Sequence, residues 1–215
     1  MTVLRPPATD RSSGVAGLVL AAGRSSRMSG GSKLLADFRG TTVIQEVVST
    51  ALAADLDPVV VVVRQEDAGV RAALEGVPVQ LAAPPPVREG RMVSVVAGIL
   101  ALGDRSVTGA MLLLGDEPGM DPDHIRTVRG VAESGPSVAL RANFLYRPGH
   151  PVYVPETLLR SITNHSHQHR PDAGQWHDIG PAGLPHGGVP IDALSPIDID
   201  TWDDLSRALD REAHT

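Results

Sequence analysis

The chain has 215 residues, of which 42% are hydrophobic and 20% charged, so it can bury one sizeable core and is not compositionally disordered. Its net charge of −6 excludes the broad basic footprint of a nucleic-acid binder, and the absence of cysteine excludes disulfides, thiolate metal sites and cysteine nucleophiles. No run approaches the roughly 20 apolar residues of a membrane span, and residues 1–13, with Arg5, Pro6, Pro7, Asp10 and Arg11, lack the apolar stretch of a signal peptide. The expectation is a cytoplasmic protein with a short flexible leader (1–13) and one domain (14–215), with neither nucleic acid nor membrane as a partner.

The run 15–22 is continuously apolar and closes on Gly23. Residues 58–63 are nearly pure valine, and 110–114 is a third run, followed by Gly115 and Asp116. Runs apolar on both alternating faces are the pattern of buried parallel strands. Between them the spacing predicts helices at 42–54, 66–74, 92–102 and 122–132. In the first, Val43, Val47 and Leu52, with Ile44 and Val48 beside them, mark one buried face. Asp121 before Pro122 reads as an N-cap followed by proline at the first helical position. Further strands at 138–140 and 151–154 flank a loop at 146–150. Over 161–190 the pattern gives way to His, Pro and Gly, predicting a mobile loop; order returns at 197–200, and 202–209 reads as a terminal helix. The alternation predicts an α/β, single-domain, doubly wound, mostly parallel Rossmann-like sheet with helices on both faces and ligands beyond the carboxyl ends of its strands.

The segment after the first strand is Leu20-Ala21-Ala22-Gly23-Arg24-Ser25-Ser26-Arg27-Met28-Ser29-Gly30-Gly31-Ser32-Lys33-Leu34-Leu35. Alanine and glycine let a backbone approach a ligand closely, and exposed amides with nearby cations hold phosphates. The plain alternative is a surface loop with solvated arginines. Lys33 is the only lysine in a chain with eighteen arginines. Ammonium is a compact point charge where guanidinium is a planar fork, so the two differ at a phosphate. The P-loop pattern fails, because Ser32 separates Gly31 from Lys33 and Leu34 follows. The dinucleotide fingerprint fails as well, because Arg24 and Ser25 follow Gly23.

The segment resembles the signature of the molybdenum-cofactor nucleotidyltransferases (MobA-like NTP transferases), roughly L-A-A/G-G-x-S-x-R-M-G-x-x-K-x-L. Leu20, Ala21, Ala22, Gly23, Ser25, Arg27, Met28, Lys33 and Leu35 match, and Ser29 replaces the glycine. Sugar-nucleotide and methylerythritol cytidylyltransferases carry proline where Ser32 stands. The guanylyltransferase branch has Ala-Gly-Gly where this chain has Ala21-Ala22-Gly23. The chain is therefore most similar to the molybdopterin cytidylyltransferases. Later segments fit in the same order. Residues 89–94 (Glu89-Gly90-Arg91-Met92-Val93-Ser94) resemble E-G-M-S-S-S with Arg91 inserted. Leu114-Gly115-Asp116-Glu117-Pro118 resembles L-G-D-M/Q-P, Gly149-His150-Pro151-Val152 matches G-H-P-V, and residues 198–205 resemble D-I-D-T-P-E-D-L with Trp202 for proline.

The resemblance implies transfer of CMP from CTP to molybdopterin, with Arg27, Lys33 and Asp116 as catalytic residues. It implies a nucleotide site of Leu20, Ala21, Ala22, Gly23, Arg24, Ser25, Lys33 and Ser94, and acceptor contacts from Gly149 and His150. Mg²⁺, with Mn²⁺ as the alternative, would sit on Asp116 and Asp200, with Asp198 second to Asp200. A strand-end aspartate after glycine points into the ligand crevice on physical grounds alone, against the plainer reading of a turn or helix cap. Asp203 and Asp204 are expected to begin the last helix, at the favourable end of its dipole. A molybdenum hydroxylase or its maturation factor is the implied partner. The same transfer with GTP or onto another phosphate acceptor stays open, as, more remotely, does a non-catalytic cofactor binder or a recruited oxidoreductase. His165, His167, His169 and His177 lie among prolines and glycines, so a loop is expected there and not a zinc site. The Gly-Asp-x-Gly segment of relatives has no counterpart in this region.

Overall fold

A computed structural model describes residues 14–23, 32–85, 90–135, 137–145, 147–168 and 186–212. In chain order the strands are β1 (Gly14–Leu20), β2 (Asp37–Phe38), β3 (Thr41–Thr42), β4 (Val59–Val62), β5 (Gln80–Ala82), β6 (Val107–Leu114), β7 (Ala139–Asn143), β8 (Pro148–Pro155) and β9 (His186–Pro190). The helices are α1 (Val43–Ala53), α2 (Ala68–Ala73), α3 (Arg91–Leu102), α4 (Pro122–Glu133), α5 (Glu156–Gln168) and α6 (Trp202–Glu212), with a 3-10 turn at Lys33–Leu35. Among the described residues the main sheet has seven strands in the order β5-β4-β1-β6-β8-β7-β9, while β2 and β3 form a small ribbon. All its neighbouring pairs are parallel except those of β8, which runs antiparallel to β6 and β7.

The continuous apolar runs are explained by burial on both sheet faces. In β1, Val15 and Val19 enter the cluster with Ile44, Val47 and Ile125, while Ala16, Leu18 and Leu20 enter the one with Val95, Leu159 and Ile162. The expected doubly wound α/β sheet is thus observed, with α1 and α4 on one face and α3 and α5 on the other. Alpha-helix 1 starts on a Thr42–Gln45 capping box, and Asp121 caps α4 ahead of Pro122.

Two expectations need correction. The stretch 161–190 is not all loop: α5 runs through Gln168, and β9 pairs parallel with β7. Leu159 and Ile162, three residues apart, anchor α5 through an apolar face that lies ahead of the histidines. His165 and His167 lie on this helix; His169 and His177 fall outside the described residues. The loop expected at 146–150 is shorter, because β8 begins at Pro148 and carries Gly149 and His150. Residues 197–200, where order was expected to return, are an extended segment leading into α6, with Ile199 buried. The leader 1–13 also lies outside the described residues. No described helix is long and apolar enough to cross a membrane.

Candidate active site

The carboxyl ends of β1, β4 and β6 open into a cleft of about 440 Å³. Its floor is Leu20, Ala21, Ala22 and Gly23, where β1 ends. Gly115 makes this arrangement possible. A Cβ there would lie 2.9 Å from that of Ala21, and the Gly115 N–H donates to the Leu20 carbonyl at 3.0 Å. The walls come from Arg64 and Gln65 beyond β4, Pro84 and Pro85 beyond β5, and Gly90, Arg91 and Ser94 at the start of α3.

Lys33 opens the 3-10 turn and is only 8% exposed. Its Nζ lies 2.5 Å from Asp116 Oδ2 and 2.9 Å from Asp200 Oδ1. Burial by itself would lower the ammonium pKa, but the Asp116 and Asp200 carboxylates outweigh it and hold Lys33 above the ordinary lysine value.

Asp198 and Asp200 reach this point through a two-residue repeat. Between them Ile199 is fully buried with Phe38, Val43 and Leu205, and its N–H donates to the Asp116 carbonyl at 2.9 Å. With Ile199 turned inward, extended backbone places both flanking aspartates on the opposite side. Oxygens of Asp116, Asp198 and Asp200 then lie within 4.8 Å of one another. Asp204 pins the backbone at Asp200 and Thr201: its Oδ2 accepts from the Thr201 N–H at 2.8 Å and the Asp200 N–H at 3.2 Å. Asp203 and Asp204 stand in the first turn of α6.

The donor set suits a hard divalent cation, since three carboxylates converge and each prefers to face positive charge. Partial loss of water and then the Asp116 charge raise the Asp198 carboxyl to about 6, with Asp200 and Glu117 adding to the rise and Lys33 opposing it. Asp198 keeps an exposed side, so like-charge repulsion is the stronger physical cause, and a bound cation would relieve it.

Of the residues singled out from sequence, Leu20, Ala21, Ala22, Gly23, Lys33, Ser94 and Asp116 line the cleft, and Asp200 joins them through Lys33. Asp198 lines it as well and completes the acidic group. Arg24, Ser25 and Arg27 lie outside the described residues. Gly149 and His150 do not line the cleft; they lie on β8, beyond β6, with His150 Nδ1 3.4 Å from Glu117 Oε2. Sequence reasoning missed Arg64. It stands two residues beyond the end of the valine strand, at the same sheet edge that singled out Asp116, so the signal was present.

A cleft floored by small residues at the end of β1, a buried lysine and a convergent acidic group at the carboxyl edge of a doubly wound sheet are the arrangement of a nucleotide-handling transferase. Residues 17–177 match the model of the MobA-like NTP transferase domain, and the chain belongs to this family of nucleotidyltransferases. It is 30% identical over 160 residues to the "Purine catabolism protein PucB" of Bacillus subtilis (strain 168), covering 69% of this chain and 74% of that one. It is 26% identical over 203 residues to a "Probable molybdenum cofactor guanylyltransferase" of Natronomonas pharaonis, covering 91% and 96%. The structure of Rv0371c from Mycobacterium tuberculosis H37Rv superposes with a TM-score of 0.77 at 28% identity, covering 93% of this chain and 100% of that one. That protein has also been solved in complex with manganese.

Proposed function

We propose that this nucleotidyltransferase moves CMP from CTP to the terminal phosphate of molybdopterin and releases pyrophosphate. The observation that carries the reading is the meeting of Lys33 with Asp116, Asp198 and Asp200 at a cleft floored by the end of β1. An acceptor phosphate oxygen attacks the α-phosphorus. The bond to the bridging oxygen breaks, and its electron pair leaves on pyrophosphate. The acceptor oxygen is already anionic, so no strong general base is needed. Catalysis is then positioning and charge neutralisation.

Lys33 and Arg27 neutralise charge gathering on the departing pyrophosphate, and backbone N–H groups at Ala22 and Gly23, with Arg24, Ser25 and Ser94, hold the nucleotide. Asp116, Asp198 and Asp200 would hold Mg²⁺ or Mn²⁺, which supplies charge neutralisation at the α-phosphate when bound. The manganese complex of Rv0371c supports a divalent ion here. Gly149 and His150 receive the acceptor on the far side of β6, and a molybdenum hydroxylase or its maturation factor takes the product.

The Ala22 methyl supports CTP, since it narrows the cleft floor where the guanylyltransferase branch has glycine; one methyl is worth about 1–3 kcal/mol of discrimination. The second reading is GTP as donor, favoured by the name of the Natronomonas relative. A panel of nucleotides against phosphate acceptors, scored by pyrophosphate release, decides. CTP with molybdopterin should react fastest. Faster release with GTP, or with a sugar or alcohol phosphate, would reassign the donor or the acceptor.

A further inference from the structure

The nucleotide cleft occupies only one half of the sheet edge, over β5, β4, β1 and β6. On the other half, β6, β8 and β7 bring a second polar group together. The register sets it. Leu112 and Arg141 both stand opposite Val152, so His150, two residues earlier on β8, comes level with the end of β6. Arg141 Nε donates to the Gly149 carbonyl at 3.2 Å, which fixes the guanidinium against the G-H-P-V strand. Its two terminal nitrogens make no hydrogen bond among the described residues. Glu117, only 8% exposed, sits beside this group. Its Oε2 is buried without a hydrogen-bond partner among the described residues and lies 3.4 Å from His150 Nδ1.

A half-buried guanidinium with its fork unfilled is under-compensated. Burial lowers the pKa of Arg141, Arg91 adds to the fall, and the Glu117 charge only partly opposes it. An anion would complete it. The fork geometry suits two oxygens of one tetrahedral phosphate, and charge-assisted pairs of this kind are the strong ones. Glu117 faces the Nδ1 side of the His150 ring and so leaves Nε2 for an incoming group. Glu117 also directly follows Asp116, so this cluster adjoins the acidic group.

We infer that Arg141, with His150 beside it, seats the phosphate of the acceptor, and that Glu117 is the positioning residue for His150. The inference rests on the reading of this protein as a transferase onto a phosphate acceptor and adds a residue, Arg141, that the family signature did not supply.

The nucleotide site is first filled with α,β-methylene-CTP and Mg²⁺, and inorganic phosphate is then titrated calorimetrically. Arg141→Gln should weaken phosphate about 10–100-fold, the loss of a charge-assisted bidentate contact, while the affinity for the CTP analogue stays within about twofold. Arg141→Lys keeps the charge and loses the fork, and should weaken phosphate by about 3–10-fold. It decides the matter by itself if the glutamine variant fails to fold. In turnover with molybdopterin, phosphate should compete with the acceptor and not with CTP. Glu117→Gln should raise the acceptor KM and leave the nucleotide KM unchanged; an unchanged acceptor KM removes Glu117 from its role. Phosphate affinity unaltered in the folded arginine variants, or no phosphate binding to the wild type, overturns the seat. Failure of the wild type to bind the CTP analogue overturns the nucleotide reading instead, and titration of the nucleotide-free protein then still decides for or against Arg141.

Discussion

Lys33 touches two carboxylates, so its ammonium and a divalent cation draw on the same charge. That coupling separates its structural from its chemical role. In Lys33→Ala without added metal, the mutual repulsion of Asp116, Asp198 and Asp200 loses the ammonium that offsets it. The variant should lose about 1–3 kcal/mol, less than a fully buried pair because Asp116 and Asp200 are partly exposed. Mn²⁺ should then raise its melting temperature more than it raises that of the wild type; an equal rise would break the link between lysine and metal. Lys33→Arg keeps the charge, but a planar fork cannot occupy the ammonium's place between two carboxylates without moving the turn. A displacement of about 1 Å at a reacting centre costs on the order of 100-fold in rate, so kcat/KM should fall by about that factor. Full kcat/KM in Lys33→Arg would make the single lysine an accident of composition. Asp116→Asn should abolish pyrophosphate release with little change in melting, since the amide keeps the shape and loses the charge; near-normal turnover at limiting Mg²⁺ would contradict it.

Among the elements, those with strong periodicity and a cap were the legible ones. Alpha-helix 4 shows why, with Asp121, Pro122 and the buried Ile125 and Val128 on one face. The elements that escaped are weak by the same measure. Beta-strand 5 is three half-buried residues. Beta-strand 9 is rich in Gly and Pro because Gly187 and Gly188 lie against β7: a Cβ at these positions would fall 3.1 Å from Leu140 Cδ2 and 2.1 Å from Asn143 Nδ2. Close packing there selects residues that otherwise signal a loop. The first turn of α4 carries a pH-sensitive contact. His124 stands edge-on to Phe144 with ring centroids 5.5 Å apart, and its Nδ1 is buried without a partner among the described residues. Burial lowers its pKa below the ordinary 6.5, with Asp121 and Asp123 opposing. The neutral ring is therefore the folded form, and on acidification the unfolded chain takes up the proton first. The contribution of His124 to stability should fall as pH drops from about 6.5 toward its lower folded value. Denaturant melts at pH 7.5 and 5.5 should show a smaller acid loss in His124→Leu than in the wild type; identical losses would remove the contact as a cause.

Across the whole molecule the acidic group and its lysine are assembled from three distant stretches: the turn at Lys33, the end of β6 and the segment before α6. Each carried its own local signal, which is why Lys33, Asp116 and Asp200 were legible one by one. What the sequence could not carry was the distance between them. Asp198 ranked behind Asp200 because nothing local shows that both face Asp116. That fact depends on Ile199, whose side chain enters the third core cluster and whose N–H is held by the Asp116 carbonyl. Ile199 touches no substrate, yet it sets the register of two of the three acidic groups. Ile199→Ala removes a fully buried side chain and should cost about 2–5 kcal/mol, against about 0.5–1.5 for Ile199→Val. If burial of Ile199 holds the aspartates in place, the loss extends beyond stability. At a temperature where each variant is fully folded, Mn²⁺ affinity should be near normal in Ile199→Val and several-fold weaker in Ile199→Ala. Binding of CTP without metal should change little, because Ile199 does not line the cleft. Calorimetric titration of the folded variants separates the two effects. Mn²⁺ affinity in Ile199→Ala equal to that of the wild type would mean that the backbone bond to Asp116 alone aligns the acidic group.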